Sequence, residues 1–120
     1  MPKPTQSSVD YGKELEGLIV NKFQEIGFKY ARRSVGSGNK GELGDIAGQD
    51  VAVVEAKNRS TKDITLKEDV WLKLINEIPH HSQRFPMYVL GNENKRAWVV
   101  TDIDAFFEIL KGYLENEKRC

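Results

Sequence analysis

The sequence predicts an α/β fold: a mixed central β-sheet of about five strands flanked by helices, in the order α-β-β-β-α-β-β-α. Three observations predict it. Apolar residues recur at helical spacing in three separate stretches. Short apolar or alternating runs lie between them. Two of those runs, Leu43–Ala47 and Val51–Ala56, are separated only by Gly48-Gln49-Asp50, a spacing that suits a hairpin.

Residues 1–8 hold two prolines and no apolar pattern, so they read as a flexible leader before a single domain over 9–120. The first helix is expected from Val9 to Ile26, where Leu15, Leu18, Ile19, Phe23 and Ile26 share one face. Gly27 stops it. Phe28–Arg33 alternates and reads as a strand. Residues 34–41, with three glycines, read as a loop. After the hairpin, Asn58–Asp63 is a polar connection. Thr65-x-x-Glu68 resembles a capping box that would open a second helix carrying Leu66, Val70, Leu74, Ile75 and Ile78 and ending near Pro79. Pro86–Leu90 and Ala97–Thr101 read as strands around Gly91–Asn94. Thr101 or Asp102 would cap a last helix through Phe106, Phe107, Ile109, Leu110 and Leu114.

A chain of 120 residues supports one core. Hydrophobic content of 39% against 30% charged residues fits a globular domain. No apolar run reaches membrane-span length and no signal peptide is expected. The only cysteine, Cys120, excludes an internal disulfide, and a cytoplasmic setting is expected. Net charge is zero, which does not favour a nucleic-acid partner, yet residues 28–67 hold eight Lys or Arg against five acids.

The chemistry gathers in that basic segment. Side chains alternate along a strand, so Glu55 and Lys57 share a face. A hairpin brings Asp45 beside them. Two carboxylates and a lysine suit phosphodiester hydrolysis. Mg²⁺ prefers hard oxygen ligands and keeps several waters, and Mn²⁺ is expected to substitute. Asp45, Glu55 and the carbonyl of Ala56 are the candidate ligands, the carbonyl needing a local twist. Lys57 would orient or activate the water, or stabilise developing charge. The competing reading is a strand end carrying a surface salt bridge. A second Glu-x-Lys, Glu93-Asn94-Lys95, falls in a turn.

Asp45-x9-Glu55-x-Lys57 on a hairpin resembles the PD-(D/E)XK nuclease core, with Gly44 in place of the motif's proline. Gly12-x-x-x-Glu16 on the first helix, Gly27-Phe28 at its end, an arginine on the next strand and the Gly36-Ser37-Gly38 loop together resemble archaeal-type Holliday junction resolvases over residues 11–101. The resemblance implies a restriction-endonuclease-like fold. It also implies a Mg²⁺-dependent endodeoxyribonuclease that resolves four-way DNA junctions by paired nicks as a homodimer. Glu16 would be the helix-borne acid, an outer or second metal contact, with Glu14 its competitor. Arg32 or Arg33 would contact phosphate, and Ser37 would lie near the scissile strand. Lys40, Arg59 and Lys62 are further candidate DNA contacts.

Three other readings remain. One is a nuclease of this fold acting on duplex ends, flaps or a specific site. Another is a non-catalytic DNA-binding module. The third is a protein-interaction domain with a chance motif. His80-His81 lacks a third ligand and reads as a loop pair. Trp71 and Trp98 read as core or interface residues.

Overall fold

The computed structural model describes residues 8–35 and 43–119. The expected contacts Ser37 and Lys40 lie outside the described residues. Helix α1 spans Ser8–Glu25, so it takes in the last residue of the expected leader. Leu15, Ile19 and Phe23, four residues apart, form its buried stripe.

The segment after α1 is not the expected strand. Phe28 N–H donates to the Phe23 carbonyl at 3.0 Å, and Ala31 N–H to that of Phe28. The Phe23 and Phe28 rings meet edge to face at 5.8 Å. Phe28 is thus anchored to the helix, and the alternation it begins belongs to a chain of turns. Only Arg32–Arg33 is extended; this is β1, paired antiparallel with β2, Ile46–Ala47.

Strand β3 (Ala52–Asn58) is the centre of the fold. It pairs in parallel with β4 (Phe85–Gly91), and β4 pairs antiparallel with β5 (Ala97–Val100). The five strands among the described residues therefore form a three-stranded mixed sheet and a two-stranded antiparallel one, where the sequence predicted a single sheet of about five. The division has a local cause. Gln49, buried in the turn before β3, accepts the N–H groups of Val51 and Ala52 and donates to the carbonyls of Ile46 and Ala52. A side chain so takes up backbone groups that a longer hairpin ladder would have used.

Parallel pairing of β3 and β4 requires a crossover, which contains helix α2, Glu68–Glu77. The expected capping box does not form. Lys67 is the extended N-cap residue and makes no side-chain cap bond, so Thr65 and Leu66 precede the helix. Helix α3 spans Ile103–Arg119, past the expected end at Leu114. Asp102 caps it, its Oδ1 accepting Asp104 N–H at 2.8 Å and Ala105 N–H at 3.1 Å. Thr101 instead donates its hydroxyl to the Pro86 carbonyl.

The three-stranded sheet has a core on each face. On one, α1 packs Leu15, Ile19 and Phe23 against Ala52, Val54, Ala56 and Val89. On the other, Leu74 of α2 joins Val53, Tyr88 and Leu90. No helix among the described residues is long and apolar enough to cross a membrane.

Candidate active site

The free edge of β3 carries the candidate site. Gly44 has φ +72°, and a Cβ there would stand 2.5 Å from the Val54 carbonyl oxygen. Gly48 also has positive φ, and a Cβ there would strike the Tyr30 carbonyl. Both positions need glycine. Between them Asp45, Ile46 and Ala47 run close beside β3.

Asp45 joins that edge twice. Its N–H donates to the Val54 carbonyl at 2.7 Å. Its Oδ2 accepts the Ala56 N–H, also at 2.7 Å. The N–H and C=O of one strand residue point to the same side. The Ala56 carbonyl therefore faces the Asp45 edge.

Glu55 and Lys57 lie on the strand face of Val53, and their charged ends are 3.4 Å apart. The Glu55 side chain is only 18% exposed, so this ion pair is more than a solvated decoration. Across the site, Arg33 Nε donates to Glu16 Oε1 at 2.8 Å. A helix acid and the β1 arginine are thus paired. Arg32 differs: its guanidinium donates to the Arg33 carbonyl at 3.3 Å.

The electrostatics of Asp45 tie these groups together. Burial raises its pKa from the ordinary 3.8 to about 6. The Ala56 N–H opposes the rise, while the charges of Glu55 and Glu16 add to it and that of Lys57 lowers it. Glu16, Glu55 and Lys57, from α1 and β3, therefore lie within electrostatic reach of Asp45 on the segment entering β2. Such a raised carboxyl beside two others is a recognised mark of a functional site.

The side chains do not converge on one point. Among the described residues, no three of His, Cys, Asp and Glu form a group able to hold a metal ion. The reason is visible in their partners. Glu16 is turned to Arg33, Glu55 to Lys57, and Asp45 to the Ala56 amide. The donor set is nonetheless chemically suited to Mg²⁺, being made of hard oxygens. Arg59 and Lys62 are exposed beyond and just after β3, and the Lys62 carbonyl accepts the Asn92 side-chain amide at 2.8 Å. His80 and His81 are exposed. Trp71 is partly buried against the α2-side core, whereas Trp98 is 45% exposed.

Four supporting residues were not legible in the sequence. Gln49 is one. Arg84 is another, its guanidinium donating to the carbonyls of Gln49 and Ala52 and so bracing the same turn from β4's end. Tyr88 stands in register beside Glu55, wholly buried, with no hydrogen-bond partner for its hydroxyl. Burial pushes that phenol above its usual range. Ser34 donates its N–H to the Asp45 carbonyl at 2.9 Å, and its hydroxyl oxygen is buried and unpartnered. None of the four lies in a recognisable motif: Arg84, Tyr88 and Ser34 meet groups distant in sequence, and Gln49 acts through the local backbone of its own turn. Comparison with protein-family models, with curated proteins and with solved structures finds no match.

Proposed function

We propose that this chain is a metal-dependent endodeoxyribonuclease of the PD-(D/E)XK type that resolves four-way DNA junctions. The observation that carries the reading is that Asp45, held against β3 by the Ala56 amide, feels the charges of Glu55, Glu16 and Lys57. Three carboxylates against Lys57 and Arg33 leave one net negative charge when all are ionised, and a divalent cation would relieve that excess.

Asp45, Glu55 and the Ala56 carbonyl are the inner ligands in this reading, with Glu16 outside them. Bound Mg²⁺ would polarise the phosphodiester and lower the pKa of a coordinated water. The chain's own part is positioning. The Ala56 N–H fixes the Asp45 carboxylate. Lys57 must turn from Glu55 to the attacking water or the phosphoryl oxygens. Arg33, released from Glu16, would hold a substrate phosphate. Recognition would rest on phosphate contacts and junction shape, from Arg32, Arg33, Arg59 and Lys62, with Ser37 and Lys40 as further candidates. Two symmetric nicks need two sites, so a homodimer belongs to the proposal, as does a cytoplasmic setting.

A second reading, a non-catalytic DNA-binding module, draws on a specific observation: each carboxylate already has a partner within the chain. Cleavage of a labelled four-way junction beside matched duplex and flap substrates, in Mg²⁺, separates the readings. Paired symmetric nicks on the junction, absent in Glu55→Gln, are expected. Equal cutting of duplex or flap would make the chain a general nuclease of this type. Junction binding with no cutting by the unaltered protein would select the binding module.

A further inference from the structure

Among the described residues, the apolar side of helix α3 and the β5 end of the α1-side sheet face are both left uncovered. No side chain of α3 described between Ile103 and Glu117 is buried. Ile103, Phe106, Phe107, Tyr113 and Leu114 remain between 49% and 70% exposed. With Leu110 they recur at i, i+3, i+4, i+7, i+10 and i+11, a single apolar stripe. A lone helix of this length is marginal in water and gains its stability from packing. On the other side of the fold, α1 covers β3 but not β5. A groove of about 500 Å³ opens between Leu18 and Ile26 of α1 and Met87, Ala97 and Val99 of the sheet. Ile26 is 73% exposed and Val99 57%. Paired apolar surfaces of this size mark an interaction site.

We infer that α3 of one copy of this chain docks into the α1–β5 groove of a second copy, and that the exchange is reciprocal about a two-fold axis. Three observations select this occupant. The first is connectivity. α3 follows β5 after two residues, and both are pinned: Thr101 to Pro86, and Asp102 as the helix cap. Its first turn stands beside Ile75 of α2. So short a link does not let the helix fold back into its own groove. The second is charge. The charged residues lining the groove are Lys22, Lys95 and Glu25. Over Ile103–Arg119, α3 carries Asp104, Glu108, Glu115 and Glu117 against Lys111, Lys118 and Arg119, one net negative charge. A net-positive groove meets a net-negative helix. The third is area. Covering the exposed parts of these side chains removes on the order of 800 Å² per copy, the size of a standard stable interface. An isologous contact of this kind closes at two copies and leaves neither surface open. This docking supplies an interface for the homodimer of the proposed function, but it is argued from the apolar surfaces and connectivity alone and stands whether or not the chain cuts DNA.

Sedimentation equilibrium of the full chain tests it. A dimer at micromolar concentration is expected, and Phe107→Glu and Val99→Glu should each raise its dissociation constant at least about tenfold. Circular dichroism checks that each variant keeps its fold. Cross-linking decides independently of those variants. In a Cys120→Ser background, a chain with Val99→Cys is mixed with a chain carrying Phe107→Cys and oxidised. A disulfide-linked mixed dimer is expected from the mixture and not from either chain alone. A monomeric protein, a dimer indifferent to both charged substitutions, or no mixed cross-link would overturn the inference. So would a purely intramolecular disulfide in a chain carrying both cysteines, since that would place α3 on its own groove.

Discussion

The carboxylate of Asp45 accepts the amide of Ala56 at 2.7 Å, so a side chain supplies one step of pairing that backbone supplies elsewhere along β3. This bond holds a partly buried acid against the strand that bears Glu55 and Lys57. It also couples the acid's ionisation to the stability of the fold.

The sign of that coupling is fixed by the raised pKa, about 6 when folded against 3.8 unfolded. The folded state holds the proton more tightly. The stabilisation is full below about pH 4 and is lost as pH rises through about 6. A tenfold difference in proton affinity between the two states is worth about 1.4 kcal/mol. Urea unfolding without metal should therefore show stability falling by about 2 to 3 kcal/mol over that window. Asp45→Asn should flatten the dependence. Mg²⁺ should restore stability at pH 7.5 in the unaltered chain and not in the variant.

Activity should depend on Glu55 and Lys57 separately from binding. Glu55→Gln and Lys57→Met are each expected to lower the single-turnover cleavage rate by about a hundredfold or more. Junction affinity, measured by fluorescence anisotropy in Ca²⁺, should change only a few-fold.

Arg33 and Arg32 should behave differently. Arg33 is paired with Glu16, at 2.8 Å, and Arg32 donates to the Arg33 carbonyl. Arg33→Ala should weaken junction binding, reduce the salt slope by about one, and lower cleavage further by leaving Glu16 unopposed. Arg32→Ala should change affinity alone. Titrations at several salt concentrations, with cleavage at saturating protein, make the comparison.

Gln49 should matter to stability out of proportion to its polarity. Its buried amide makes four hydrogen bonds to backbone groups. Gln49→Leu would remove the side-chain partner of the Val51 and Ala52 amides and the Ile46 carbonyl, while Arg84 keeps the Ala52 carbonyl bonded, at a cost of about 2 to 4 kcal/mol. The expected fall in Tm is about 10 °C or more, read by thermal denaturation.

Tyr88 should respond in the opposite sense. Its hydroxyl is buried without a partner, so Tyr88→Phe should leave stability unchanged or raise it by up to about 1 kcal/mol. Tyr88→Ala, which opens a cavity in the α2-side core, should cost about 3 to 5 kcal/mol. Chemical denaturation of both variants reports the difference.

The helices and the three long strands could be read from the chain because their burial is periodic. Leu15, Ile19 and Phe23 lie one turn apart, and Val53 and Val54 fall on opposite sheet faces, in different cores. The two short strands were overestimated because alternation in Phe28–Arg33 has another origin, the packing of Phe28 on Phe23. Thr65 matched a capping pattern, but the chain is still extended at Lys67, and nothing local to the pattern reveals that. Asp45, Glu55 and Lys57 could be nominated from spacing alone, since a tight turn returns one strand beside the next. Their present partners could not. Whether Glu16 meets Arg33 or a metal depends on distances set by the packing of α1, and the sequence carries no mark of them.

Gly44 bears on how such sites are recognised. A proline ring holds φ near −65°, whereas this backbone passes through +72°. The residue that gives the PD-(D/E)XK pattern its first letter is therefore sterically forbidden here. Installing it to perfect the signature would swing Asp45 away from β3 and dismantle the edge that the signature is meant to report. In this chain a left-handed turn at Gly44 delivers Asp45 to the edge of β3.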